Sequence, residues 1–416
     1  MLLPLDVQYD MDAWPSSLNR KRRLDGGSSS SLSSAARHET PGQRVLRTTL
    51  QYKGTANFRA RLVLATLASR PVRIRAIRED DEAPGLASFE ASFVRLLDKL
   101  TNGSHVEINE TGTTLYYRPG IIVGGSVEHD CSGNSEDARS VGWFIEGILP
   151  LAPFSKKPFA LHFVNCRTND DRDMSTDFLK EVTLPMLRGF GLGSDPETSS
   201  LLELTVSRRG APPLGGGIVD FRCPVVRRLK PIDWTDPGLV SKVRGVAYST
   251  KVSPQVANRA VFEARGVLND LLPDVFIFTD VYSGKTSGNS PGFALLLTAE
   301  TTTGAALATE AAGSAGTLPE ELAKRVVSGL LEEVWEGGTI DATHQPLVLT
   351  LMALGPEDVT RVRAGKLTKP AMEQLRLIRD FLGVTFKVKP DTEKGDKSVL
   401  LSCLGSGHVN VAKQVT

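Results

Sequence analysis

The clearest periodic signal in the chain is the set Phe89, Phe93, Leu96, Leu97 and Leu100, whose three- and four-residue spacing puts all five on one face of a helix, ended by Thr101-Asn102-Gly103. Two β-prone runs follow, 105–109 and 113–117, turned by Glu110 to Gly112. The same order returns twice. Phe178, Val182 and Met186 mark a helix over 175–188, kinked at Pro185, with strands at 202–207 and 217–223. Leu375, Ile378 and Leu382 mark another, followed by strands at 384–388 and 398–401. The recurring unit reads helix, strand, helix, strand, strand, and each sheet needs a cover for its apolar face. An α+β fold is expected: a large domain of three repeated units, each two helices on a four-stranded sheet, with a smaller inserted α/β domain.

The turn-rich segment Pro231 to Gly238 opens the extra material, which holds a strand near 243–249 and a helix over 254–272 begun by Ser253-Pro254. The expected division is a disordered tail over 1–47, a large domain over 48–234 and 313–416, and an inserted domain over 235–312. The helix 319–335 is assigned to the large domain. Within the insertion, SGKTSGNSPG at 283–292 has the Gly-Lys-Thr of a phosphate loop. Thr279 stands where such a loop needs its first glycine, and a β-prone run follows instead of a helix, so the segment reads as a hairpin between two strands.

Charge changes this picture little. The chain of 416 residues has 49 basic and 48 acidic side chains, which gives no global attraction to nucleic acid or membrane. No apolar run approaches the roughly 20 residues that cross a bilayer, and the acidic, proline-broken start does not read as a signal peptide. The basic cluster Arg20 to Arg23 in the serine-rich tail is a nuclear import address or a solvated charge run. Cys131, Cys166, Cys223 and Cys403 are too scattered for a zinc site or a disulfide framework, so reduced thiols, no metal and no cofactor are expected.

Two segments combine arginine with glycine: Tyr117-Arg118-Pro119-Gly120 through Gly125, and Arg208-Arg209-Gly210 through Gly215-Gly216-Gly217. Consecutive glycines let backbone amides approach an anion, and arginine supplies paired donors for phosphate. The alternative is a pair of tight turns with exposed charges. Gly189-Phe190-Gly191-Leu192-Gly193 follows a helix and reads as a helix stop.

Phe58-Arg59 to Leu67, Ala83-Pro84-Gly85-Leu86, TGTTLYYRPG at 111–120, LAPFSKK at 151–157, Arg209 to Gly217 and GVAYST at 245–250 occur in this order. Together they resemble the RNA 3'-terminal phosphate cyclase superfamily, and most closely its eukaryotic cyclase-like branch, over about 48 to nearly the end. The resemblance implies the three-unit fold with an insertion. It also implies that active members pass a nucleotide through a histidine in a His-x-x-Asp-Gln pattern. Here the matching stretch is Asp341-Ala342-Thr343-His344-Gln345, with Ala342 at the nucleophile's place. His344, two residues on, would be turned by roughly 200° on a helix and reads as a hydrogen-bonded surface histidine. Tyr52 replaces an expected carboxylate, and Asp81 replaces one of two expected arginines, whereas Arg59, Arg78, Arg118 and the triple glycine remain.

The resemblance therefore implies a non-cyclising assembly factor of the small-subunit processome, in the nucleolus, required for early pre-rRNA cleavage and acting with a large ribosome-assembly GTPase. Arg59, Arg78, Arg118, Arg208, Arg209, Gly215, Gly216 and Gly217 are the expected anion site, for RNA phosphate or an acidic stretch of the partner. An endoribonuclease using Arg379 and Asp380, and a cyclase using His344, are the alternatives.

Overall fold

The computed structural model describes residues 48–132, 137–194, 201–391 and 398–411. The expected tail and its basic cluster lie outside the described residues. The first repeat runs β1 (Leu50–Lys53), α1 (Phe58–Leu67), β2 (Val72–Arg75), α2 (Ser88–Leu100), β3 (His105–Ile108) and β4 (Leu115–Arg118). β1 and β2 are parallel, β4 pairs antiparallel with β2 and β3 with β4, giving the order β1-β2-β4-β3.

The second repeat has the same plan with β5 (Gly124–Asp130), α3 (Val141–Ile148), β6 (Lys157–Cys166), a helix in pieces, β7 (Glu203–Arg208) and β8 (Gly217–Cys223). Its order is β5-β6-β8-β7, again with only the first pair parallel. The helix in pieces is α4 (Thr176–Phe178), a π-helical turn over Leu179–Thr183, and α5 (Leu184–Gly189). Pro185 cannot donate to a carbonyl four residues back, and the widened turn before it absorbs the kink that the sequence led us to expect.

A two-residue strand, β9 (Asp233–Trp234), starts the third repeat. The chain then leaves for the small unit: β10 (Val240–Thr250), α6 (Pro254–Leu268), β11 (Val275–Tyr282), β12 (Gly292–Thr301), β13 (Ala306–Ala312) and α7 (Pro319–Glu336). It returns through α8 (Gln345–Ala353), β14 (Val359–Ala364), α9 (Lys369–Leu382), β15 (Lys387–Pro390) and β16 (Val399–Leu404). The third sheet, β9-β14-β16-β15, repeats the pairing of the first two. The architecture is α+β, three copies of one unit with a fourth sheet inserted inside the last.

The first helices of the units differ from the second ones in a way that decides the core. α1, α3 and α8 are apolar nearly all round and bury almost every residue, as helices at a shared centre must. α2 and α9 bury one face only, Phe93, Leu96, Leu97 and Leu100 in one case and Leu377, Ile378 and Phe381 in the other. A single core joins all three repeats, and the far faces of the sheets are turned away from it. A second core lies in the small unit between its sheet and two helices. α7 belongs there, because Leu322, Ala323, Val326, Val327 and Leu330 pack with α6 and the fourth sheet. The expected return of this helix to the large domain is corrected by that burial.

The fourth sheet has the order β11-β10-β12-β13. β11 lies parallel to one side of β10 and β12 antiparallel to the other. The segment 283–292 is thus a connection between strands that flank a third, not a hairpin. Gly284–Thr286 forms one short turn with no helix after it, which also excludes a phosphate loop. All four cysteines are buried free thiols. Among the described residues no helix is long and apolar enough to cross a membrane.

Candidate functional site

β7 delivers Arg209 into the seam between the second repeat and the small unit, where its side chain is 1% exposed. Nη1 and Nη2 donate to the two Asp177 oxygens at 2.7 and 2.9 Å, and Nη2 also donates to the Tyr282 hydroxyl at 3.2 Å. The guanidinium lies 4.3 Å from the Tyr248 ring centre and 4.7 Å from that of Tyr282, within reach of cation–π attraction. Asp177 sits in the first turn of α4, where Ser175 accepts from the Phe178 amide at 2.9 Å and the helix end favours negative charge. Burial works against the Arg209 charge. The Asp177 carboxylate more than offsets it and holds the guanidinium above its ordinary range.

The loop 283–292 closes over this point. The Arg209 amide donates to the Thr286 carbonyl at 2.9 Å, the Gly288 amide to the Arg209 carbonyl at 2.6 Å, and the Asn289 amide to the Gly215 carbonyl at 2.8 Å. Gly216 has φ +78°, and a Cβ there would stand 2.5 Å from the Asn289 side chain. A Cβ on Gly217 would stand 2.8 Å from the Cys166 carbonyl oxygen. The glycines are required because chain approaches chain, a geometry that makes the same demand as a bound phosphate.

The other members of the expected anion site lie apart. Arg59 donates to Glu146 at 2.5 Å and to the Trp143 carbonyl, between the first two repeats. Arg78 makes paired bonds of 2.7 and 3.0 Å to Glu90. Arg208 donates to the Lys285 carbonyl at 3.2 Å. Arg118 is exposed at the end of β4. Arg59, Arg78 and Arg209 are therefore neutralised from within, and the expected set does not assemble into one pocket.

The position of the missing nucleophile is equally well defined. The Ala342 amide donates to both Glu333 oxygens at 3.2 Å, and burial together with the Asp341 charge pushes that carboxyl up to about 7. Ala342 borders a cavity of about 360 Å³ shared by Glu332, Glu333, Glu336, Lys366 and Lys369. His344 is hydrogen-bonded as expected but is not on the surface, being 1% exposed. Its Nδ1 pairs with Asp341 and its Nε2 with the Thr183 hydroxyl, both at 2.8 Å, and Phe178 packs 5.0 Å away, centre to centre. A separate cavity of about 480 Å³, lined by Pro185, Trp234, Asp236 and Thr303, reaches His344.

Tyr52 stacks on Phe381 at 5.8 Å and donates its hydroxyl to Asp380 at 3.2 Å, binding the first repeat to the third. Asp380, the nuclease candidate, is occupied by that bond, and its backbone carbonyl also accepts from Arg70 at 2.6 Å. Asp81 is exposed. The sequence reading missed Lys53, Arg73, Arg75 and Tyr116, which stand on the outward face of the first sheet. The alternation in Val72-Arg73-Ile74-Arg75 was the available signal.

Residues 50–388 match the family described as RNA 3'-terminal phosphate cyclase. This chain belongs to that family. It is 50% identical to the RNA 3'-terminal phosphate cyclase-like protein of Mus musculus over 373 residues, covering 88% of this chain and 97% of the relative. It is 43% identical to the probable RNA 3'-terminal phosphate cyclase-like protein of Dictyostelium discoideum, covering 88% and 99%. The rRNA processing protein rcl1 of Schizosaccharomyces pombe is 42% identical, with 88% and 98% covered. The similarity extends over both the repeats and the small unit. In this member of the cyclase family, the seam at Arg209 is held shut by its own ion pair.

Proposed function

We propose that the chain is a non-cyclising factor of pre-rRNA processing, acting in the nucleolus within the small-subunit processome. Its place is in the early cleavage that leads to small-subunit rRNA, with a large ribosome-assembly GTPase as partner. The observation that carries this reading is the pairing of His344 with Asp341 and Thr183 beside Ala342. Both imidazole nitrogens are engaged in the interior, and a methyl group stands where the family's resemblance puts the nucleophile. Attack on a nucleotide phosphorus needs an accessible nitrogen lone pair. The name of the S. pombe relative supports rRNA processing as the setting.

Within this reading, anion recognition falls to the outward members of the predicted set, Arg118 and Arg208. Incubation with α-labelled ATP or GTP is expected to leave no covalent label on the purified chain. Label that disappears in His344→Ala would overturn the proposal. Depletion of the protein in its own cells is expected to accumulate uncut small-subunit precursor, and a GTPase fragment is expected to co-purify with the tagged chain.

A further inference from the structure

The four strands of the first sheet alternate cleanly. Val72, Ile74, Leu115 and Tyr117 point into the core, and Lys53, Arg73, Arg75, His105, Glu107, Tyr116 and Arg118 occupy the positions between such inward residues. The register sets Lys53 opposite Arg75, Arg73 opposite Tyr116, and Arg118 opposite His105. Adjacent strands lie about 4.8 Å apart, so these side chains form one continuous surface.

Four cations, Lys53, Arg73, Arg75 and Arg118, share that surface with one carboxylate, Glu107, which is already bonded to His105 at 2.9 Å. Like charges directly opposite one another destabilise a sheet, and Lys53 against Arg75 is such a pair. Among the described residues, Lys53, Arg75 and Arg118 have no ion pair to relieve the repulsion. An anion from outside would relieve it. The exposed acidic run Glu79 to Glu82 begins four residues after Arg75.

The Arg73 guanidinium lies 5.1 Å from the centre of the Tyr116 ring, and His105 meets the same ring edge-on at 6.3 Å. This supplies planar groups in the middle of a positive surface. An acidic peptide would use the charge but has nothing to stack there. A duplex would be met by its backbone, its deep major groove being closed to a broad sheet. Unpaired nucleotides use both features.

We infer that the outward face of the first sheet binds single-stranded RNA, with phosphates against Lys53, Arg73, Arg75 and Arg118 and a base on the Arg73–Tyr116 stack. This deepens the proposed function and rests on it, since it names the surface that meets the pre-rRNA. Anisotropy of a fluorescein-labelled 20-nucleotide oligouridine, titrated with the full chain at several salt concentrations, tests it. The triple variant R73E/R75E/R118E is expected to bind at least about tenfold more weakly at low salt, with a salt dependence shallower by about 2, since each lost contact to a single strand removes about 0.7. Tyr116→Ala is expected to weaken binding about fivefold or more with the salt dependence unchanged.

Circular dichroism checks that the triple variant is folded, and R118E, at an exposed position, gives a milder second measurement. Equal affinity of wild type and triple variant, or no binding by the wild type, overturns the inference. Displacement of RNA by polyglutamate, with Tyr116→Ala binding as wild type does, overturns it in favour of an acidic protein. Covalent nucleotide on the chain would instead overturn the proposed function, whatever this face binds, so the two failures are separable.

Discussion

The first and second sheets share strand order and direction but present opposite charge. Inward, both are apolar: Val72, Ile74 and Leu115 in one, Phe159, Leu161, Phe163 and Phe221 in the other. Outward, the four cations of the first have their counterpart in four carboxylates of the second, Glu128, Asp130, Glu203 and Asp220, set with Arg222. His162 bonds to Asp220 there at 2.8 Å. The common core dictates every second residue of each strand and leaves the residues between free to differ. What distinguishes one repeat from another in function therefore lies on the faces that packing does not constrain.

The repeats differ also in what seals them, and the largest expected effect comes from that seam. Arg209→Ala would leave Asp177, whose side chain is 13% exposed, without its partner and is expected to cost about 3 kcal/mol in urea unfolding. Arg118→Ala, on the open face, is expected to change stability by no more than about 0.5 kcal/mol. Similar costs for the two would erase the contrast. Glu310 of the small unit comes next. It accepts from the Ser175 amide at 2.7 Å, and burial pushes its carboxyl up to about 8.

The folded chain thus keeps a proton on Glu310 that the unfolded chain releases near 4.5. The Glu310 contribution to stability falls as pH rises from about 4.5 to 8 and levels off above, because at this group the folded state binds more protons in that window. Glu310→Gln is expected to flatten the decline in melting temperature between pH 5 and 8. An identical pH profile in wild type and variant would show that the carboxyl is open to water. In the first repeat the corresponding seam is lighter: Tyr52→Phe removes one hydrogen bond to Asp380 and is expected to cost about 1 kcal/mol. The smallest change is a transfer of charge. E128K/D220K should give the second sheet a weak affinity for the same oligouridine, a few-fold above that of wild type, and no gain would mean that charge without the Arg73–Tyr116 stack is insufficient.

The second helices were legible because one wet face and one dry face leave a 3.6-residue period. α1, α3 and α8 carry little of that contrast, since all their sides are buried. β9 has two residues, too few for any alternation to show, so the start of the third repeat was hidden. Both strands beside 283–292 were readable. Their failure to pair was not, because β10, which separates them, lies more than thirty residues earlier.

The Arg-Gly segment was singled out as an anion site or a pair of tight turns. Its neighbour could not be named, since Gly216 answers to a close approach of any kind. His344 was misplaced on the surface because its partner Thr183 is 161 residues away. The basic face was written plainly in the alternation of β2 and β4, yet net charge near zero over the chain concealed a local excess.

Thr339 donates its hydroxyl to the Trp234 carbonyl at 2.9 Å, so the two strands of chain that lead to and from the small unit run side by side. The loop 283–292 fastens the same unit to the second repeat. It is a cantilever that has been propped at its free end. Pulling on it would load three fastenings to the second repeat together, Arg209 with its loop, Glu310 with the Ser175 amide and Asp171 with the Ala312 amide, so prising the loop alone would leave the unit attached.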